Sequence, residues 1–408
     1  MNSQLPRNTR IVIAGGGVIG CSVAWNLAQL GCSDVVVIEK GQVGCGTTWH
    51  SAGNIIRMST DPAAVQIFSE SARVIAELHE RHDIGWRQCG RVMMARSEQR
   101  MQELEDVMRV LERLDVSVEQ ISPSAVKEKL PIMNVDDILG ALFSPGDGRV
   151  DPTALTNAYR KEAKDNGVVF LEGVEVYRAI EQNGRVSAVE TDQGIIQCEV
   201  MVNCAGMWAR HLGLANNIDI PLYPVEHFYV LTETMEGVYA DMPTFRDPDG
   251  LIYGREEVGG LLLGCFDRNA IPVGIEDLPQ PFEFSLLNEN WDQFMPYMAQ
   301  GIQRIPALKK VGIRSLVNGP ESFTPDAEAH FDQAEKLVNY FVLAGLSSSG
   351  VTRSGGMGRA LAKWIMHGEP ELDISSFKLT RFGSECNEET YLRKVVRNMP
   401  SGHFSLES

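Results

Sequence analysis

The stretch RIVIAGGGVIGCSVAWNLAQLGCSDVVVIEK at residues 10–40 constrains the fold more than any other part of the chain. Ile11 to Ala14 reads as a buried strand, Gly15, Gly17 and Gly20 follow at GxGxxG spacing, Cys21–Leu30 has helical composition ending at Gly31, and a second strand ends at Glu39. In such a unit Gly15 permits the tight turn, Gly17 lets a pyrophosphate approach the backbone, and Gly20 lets helix and strand pack closely. The helix start offers free N–H groups and a positive dipole end to phosphate. Glu39, nineteen residues after Gly20, suits hydrogen bonds from ribose hydroxyls and disfavours a 2′-phosphate. The segment predicts a dinucleotide cradle, but the motif alone does not choose between FAD and NAD.

The rest of the chain narrows that choice. With 408 residues the chain exceeds the roughly 250–300 at which one core stops growing, so two subdomains are expected. Segments 8–58, 149–224 and 338–383 read as βα material with short apolar strands. Segments 61–148 and 225–337 differ: the first holds two amphipathic helices near 62–81 and 97–114, and the second alternates as a sheet with one wet face does (EHFYVLTE, GGLLLGCFD). An NAD domain would continue as consecutive βα units; here the pattern breaks near residue 58 and returns late. The expected architecture is α/β, a Rossmann-like FAD-binding domain made of 1–60, 149–224 and 338–385, with a substrate domain (61–148 and 225–337) of antiparallel sheet and helices inserted into it. A tail at 386–408 reads as one short helix and a frayed end.

Composition bounds the partners. The net charge of −17, from 54 acids and 37 bases, argues against nucleic acid or an anionic membrane, both of which need a basic face. Eight cysteines without CxxC or zinc spacing read as reduced thiols of a cytoplasmic protein and imply no metal. The polar start MNSQLPRNTR and the lack of any long apolar run give no sign of a signal peptide or membrane helix.

Further along, GTTWHSAGN (46–54), PVEHFYVLTE (224–233), YGREEVGGLLLGCFD (253–267), LVNGPESFTPD (316–326) and AGLSSSGVTRSGGMGRALAKWIMHGEPELD (344–373) occur together and in order. On these stretches the chain resembles the flavoprotein half of the dimethylglycine and sarcosine dehydrogenases, within the D-amino-acid-oxidase-like group. The resemblance implies FAD-dependent oxidation of a secondary or tertiary amine, typically an N-methylated amino acid, with hydride passing to flavin N5. It also implies that His50 carries the flavin covalently, a neutral imidazole nitrogen bonding to the flavin 8α-carbon. The other reading of His50, a loop histidine hydrogen-bonded beside noncovalent flavin, stays open. Cofactor contacts are expected at Gly15, Gly17, Val18, Ile19, Gly20, Glu39, Lys40, Thr47, Thr48, Val174, Ala205, Gly206 and Gly350. They are also expected at Gly355, Gly356 and Met357, read as a late glycine turn at 353–358 opening a helix toward the pyrimidine edge of the ring.

His227 and Tyr253 match the family's substrate-pocket histidine and tyrosine. Tyr253 would bond the substrate carboxylate or amine, and His227 would help keep the amine unprotonated, since a protonated nitrogen has no lone pair to release. Structural roles for both stay open, and Arg57, Arg255 and Arg353 are unranked candidates for anchoring a carboxylate. The chain stops about 25 residues after RFG (381–383), short of the family's folate-binding half, so the one-carbon product is expected to be released or handed to another chain. Residues 327–339 depart from the family's Gly/Pro-rich turn, on the side where substrate loops close. The acceptor is expected to be oxygen or an electron-transfer protein, with a second subunit or homo-oligomer possible on the sequence. The alternative is a flavin subunit of a multi-subunit amine or opine dehydrogenase, or a non-catalytic flavin-bearing partner.

Overall fold

Strand β1 (Ile11–Ala14) is buried along its whole length because parallel strands flank it on both sides. It pairs with Val200–Asn203 on one side and with β2 (Val35–Glu39) on the other. These three belong to a six-stranded sheet completed by Val169–Glu172, Tyr340–Ala344 and an antiparallel edge strand, His330–Gln333. The computed structural model describes residues 5–403. The apolar runs of these strands fit a sheet covered on both faces. Helix α1 (Val18–Gln29) likewise has almost no polar face, since it is enclosed by the sheet, the helix Pro152–Asp165 and the late helix Gly350–His367.

Eight strands form the second sheet, in the order 313–323, 223–232, 260–265, 252–257, 244–247, 91–95, 140–144, 119–121. All its pairs are antiparallel except Thr244–Asp247 with Arg91–Ala95. Alternation assigns its faces. Phe228, Val230, Phe245 and Ile252 enter a core beneath the helix Trp291–Arg304, while His227, Tyr229 and Tyr253 point to the other side, toward the first sheet. A separate three-stranded meander (176–182, 185–191, 194–197) occupies part of 149–224, which the sequence suggested only as βα material.

Several expectations change. Helix α2 (Pro62–Arg81), capped by Asp61 accepting from the Ala63 N–H at 2.9 Å, shows the expected periodicity. Its apolar face, however, joins the core of the nucleotide half, with Ile67, Phe68, Ile75 and Leu78 packed among residues of β1 and α1. Periodicity identifies a buried face, not the partner that buries it. Residues 327–339 supply the sheet-edge strand, where His330 contacts the Pro221 carbonyl at 2.9 Å; they line neither cavity described below. In the tail, Glu389–Val395 is the expected helix, but the chain then returns to the second sheet, where the Arg246 guanidinium donates to the His403 carbonyl. Residues 404–408 of the expected frayed end lie outside the described residues, as do residues 1–4. Among the described residues no helix is long and apolar enough to cross a membrane.

Candidate active site

A groove of about 330 Å³ runs from the carboxyl ends of β1 and β2 to the start of the late helix. It is lined by Gly15, Gly17, Val18, Ile19, Glu39, Lys40, Thr47, Thr48, Val174, Ala205, Gly206 and Gly350, all singled out from the sequence. Gly15 turns the chain at φ +108°, and a Cβ there would lie 2.3 Å from the Cys204 carbonyl oxygen. Gly20 is not a liner; a Cβ on it would sit 1.9 Å from the Gly15 carbonyl oxygen, so its glycine serves helix–strand contact. The Thr48 hydroxyl accepts the Val18 N–H at 3.1 Å, tying the 46–51 loop to the first turn of α1. The Glu39 carboxylate accepts from the backbone N–H of Gly16 (2.7 Å) and Gly41 (3.0 Å), and burial lifts its carboxyl above the usual range. Lys40 lies over the Trp208 ring, 3.8 Å from its centroid.

At the far end, Ser347 and Ser348 adopt left-handed φ of 44° and 64° and lead into the late helix at Gly350. Among the described residues no side chain caps that helix start, so its first N–H groups are available to an anion in the groove. The expected glycine turn at 353–358 is instead helix interior: Gly355, Gly356 and Met357 do not line the groove. A Cβ on Gly356 would lie 2.2 Å from the Ile67 carbonyl oxygen, and one on Gly355 would lie 2.9 Å from the Ser71 Cα. These glycines let the late helix press against α2.

A second cavity, about 100 Å³, adjoins the groove and shares Thr47, Ser51, Glu321, Ser348 and Val351 with it. His50 stands in its wall, fully buried. Burial, with neighbouring His227, holds the His50 imidazole down to about 4, so the ring is neutral around pH 7. Its Nε2 has no hydrogen-bond partner among the described residues, which is costly for a buried polar atom unless something else occupies it. Space beside the ring is tight, because a Cβ on Gly319 would lie 2.3 Å from His50 Cε1.

His227 and Tyr253 share this cavity with His50. Burial lowers the His227 imidazole to about 4 and raises the Tyr253 phenol well above its ordinary value. Both rings pack on Phe266, at centroid distances of 5.2 Å and 5.3 Å. On adjacent strands Arg246 lies directly opposite Tyr253, and Arg91 opposite Thr244; both guanidiniums reach the cavity. Arg91 is 5 % exposed and its Nη1 has no hydrogen-bond partner among the described residues. Burial pulls Arg91 down to about 10 and Arg246 to about 9, values that leave both positively charged near neutrality.

The arginines weighed from the sequence are elsewhere engaged. Arg57 pairs with Asp147 at 3.1 Å and Arg353 with Glu328 at 2.7 Å, while Arg255 donates to the Ala52 carbonyl at 2.7 Å and pairs with Glu257. None of them lines the cavity. Sequence reasoning missed Arg91, Arg246, Glu321 and His403. A signal did exist for two: Glu321 lies inside LVNGPESFTPD, and Arg246 stands before an Asp-Pro-Asp-Gly turn one strand away from Tyr253.

Comparison with known proteins fits this geometry. Residues 10–364 match the profile of the family described as DAO, FAD dependent oxidoreductase. The mouse (Mus musculus) mitochondrial pyruvate dehydrogenase phosphatase regulatory subunit is 36% identical over 402 residues, covering 97% of this chain and 46% of that protein. Mouse mitochondrial sarcosine dehydrogenase is 35% identical over 397 residues, covering 95% of this chain and 43% of that one. The chain thus spans less than half the length of these two relatives. The crystal structure of L-proline dehydrogenase from P. horikoshii superposes with a TM-score of 0.84 at 25% identity, covering 93% of this chain and 98% of that one.

Proposed function

Because the chain belongs to the DAO family of FAD-dependent oxidoreductases, we propose that it oxidises a small N-methylated amino acid, with its FAD linked covalently to His50. The observation that carries this reading is the shared wall between the dinucleotide groove and a small cavity lined by His50, His227, Tyr253, Arg91 and Arg246. The similarity to a sarcosine dehydrogenase supports the substrate class.

When bound, the FAD supplies the acceptor for the hydride leaving the substrate carbon. The remaining tasks fall to side chains. Arg91 and Arg246 hold the substrate carboxylate; a buried guanidinium is stabilised by an anion arriving beside it. Tyr253 and His227 flank the amine, and Phe266 with Tyr229 supplies ring surface to the cavity wall. Neutral His227 adds no positive charge that would oppose binding or favour a different orientation. For the covalent link, the supporting features are the neutral ring, the orphaned Nε2 and the position of His50 beside the groove.

Two measurements test the reading. Anaerobic mixing of the purified flavoprotein with sarcosine, dimethylglycine and longer N-methylated acids should bleach the flavin absorbance. Acid denaturation should leave yellow flavin in the protein pellet for the wild type and none for His50→Ala. Wild-type flavin that no amine reduces would favour the second reading, a flavin-bearing non-catalytic partner, for which the likeness to a phosphatase regulatory subunit speaks.

A further inference from the structure

Glu321 has no role in the account above, yet it lines both the groove and the cavity. Among the described residues it is the only acidic side chain in the cavity wall. It lies in the long strand Ile313–Phe323, which pairs with the strand carrying His227, and its Oε2 lies 3.8 Å from His227 Nε2. Ser348, in its left-handed conformation, lines both the groove and the cavity with Glu321 and pulls its carboxyl down against burial. A non-glycine residue held at positive φ is strained, and such strain persists where surrounding structure enforces it. Here the strained residue stands beside that carboxylate in the shared wall.

The groups facing Glu321 come from several elements. His227 and Tyr229 stand on its partner strand, Tyr253 two strands further, and His50 on the 46–51 loop. Arg91 and Arg246 close the cavity across the sheet, and His403 reaches it from the C-terminal segment. His50, His227 and His403 are all driven neutral by burial, to about 4, 4 and 3. The positive charge in the cavity wall is therefore that of the two arginines, which also feel Asp147 and Glu103 from outside the cavity, and Glu321 is the carboxylate that lines the cavity with them.

Resting on the amine-oxidation reading, we propose that Glu321 is the proton acceptor for the substrate's ammonium group. An N–H bond of the ammonium breaks, an O–H bond forms on the Glu321 carboxylate, and the electron pair stays on nitrogen; nothing is oxidised or reduced in this step. Burial drives the exchange, because a low-dielectric cavity disfavours the charged form of both partners. It lifts the Glu321 carboxyl to about 7 against the opposing pull of Ser348, and the same desolvation, with two guanidiniums nearby, lowers the ammonium toward it. His227 has no donor charge to compete and provides a neutral neighbour for the protonated acid.

The test is anaerobic stopped-flow reduction of the holoenzyme by sarcosine and dimethylglycine, wild type against Glu321→Gln, between about pH 6 and about pH 10. For the wild type, the second-order reduction constant should fall as pH drops through about 7. Glu321→Gln should lose about 10²-fold around neutrality and recover most of that at the alkaline end, where free amine is abundant in solution. A merely structural role would lower the rate without moving the profile. A Gln variant with wild-type rates and profile overturns the proposal while leaving the amine oxidation standing. Wild-type flavin reduced by no amine overturns both. If the Gln variant does not retain its flavin, Glu321→Asp carries the same comparison: a displaced profile supports the proposal, and an unchanged one overturns it.

Discussion

Replacing Gly319 by alanine should uncouple the proposed link to His50 from cofactor binding. The added Cβ would fall 2.3 Å from His50 Cε1 and 2.4 Å from Nδ1, against the roughly 3.5–4.0 Å at which carbon atoms rest together. His50 must therefore retreat by about 1 Å, and overpacking of this kind costs about 1–3 kcal/mol. Misplacing a reacting group by about 1 Å lowers its rate by roughly 10²-fold, so Nε2 would bond the flavin slowly or not at all. Gly319 does not line the dinucleotide groove, so noncovalent uptake should persist. The assay is flavin absorbance before and after acid precipitation: Gly319→Ala should purify yellow, release its flavin to the supernatant, and keep a wild-type circular dichroism spectrum. A variant that keeps all its flavin in the pellet would refute the claim that ring position at His50 controls the link.

Arg91→Gln should raise the KM for an N-methylated amino acid by about 10- to 100-fold, the equivalent of losing one charge-assisted hydrogen bond. An unchanged KM would remove Arg91 from the site. Gly356→Val should destabilise the fold by about 1–3 kcal/mol, because its Cβ meets the Ile67 carbonyl oxygen at 2.2 Å. Thermal melting reads that loss, and an unaltered transition would mean that the late helix and α2 are not held in contact by this glycine.

The parts of the site legible in the sequence are those whose chemistry is contiguous. The turn at Gly15–Gly20, the acid at Glu39 and the loop at 47–50 lie within forty residues, and local spacing alone sets their geometry. His227 and Tyr253 were found through resemblance, and alternation along their strands agrees, with Phe228 and Ile252 taking the opposite face. Arg91 and Arg246 escaped because they meet through strand pairing between segments over 150 residues apart, which no local pattern records. The glycines at 355–358 misled for the converse reason. A run of small residues looks alike whether it opens a turn or lets two helices touch, and only the partner helix distinguishes the cases. Arg57, Arg255 and Arg353 were plausible anchors by type, but acids or carbonyls distant in sequence claim them.

The parallel sheet has a consequence for biosynthesis. Its strands come from residues 11–39, 169–172, 200–203 and 340–344, and the helix that closes the groove follows only at Gly350. Pairings between segments so far apart form slowly and after much of the chain is present. A ribosome-bound N-terminal portion would carry the phosphate turn but neither the neighbouring strand nor the lid of the groove. Flavin capture thus waits until the segments through Gly350 and its helix have been made and paired, and the proposed bond at His50 would follow it.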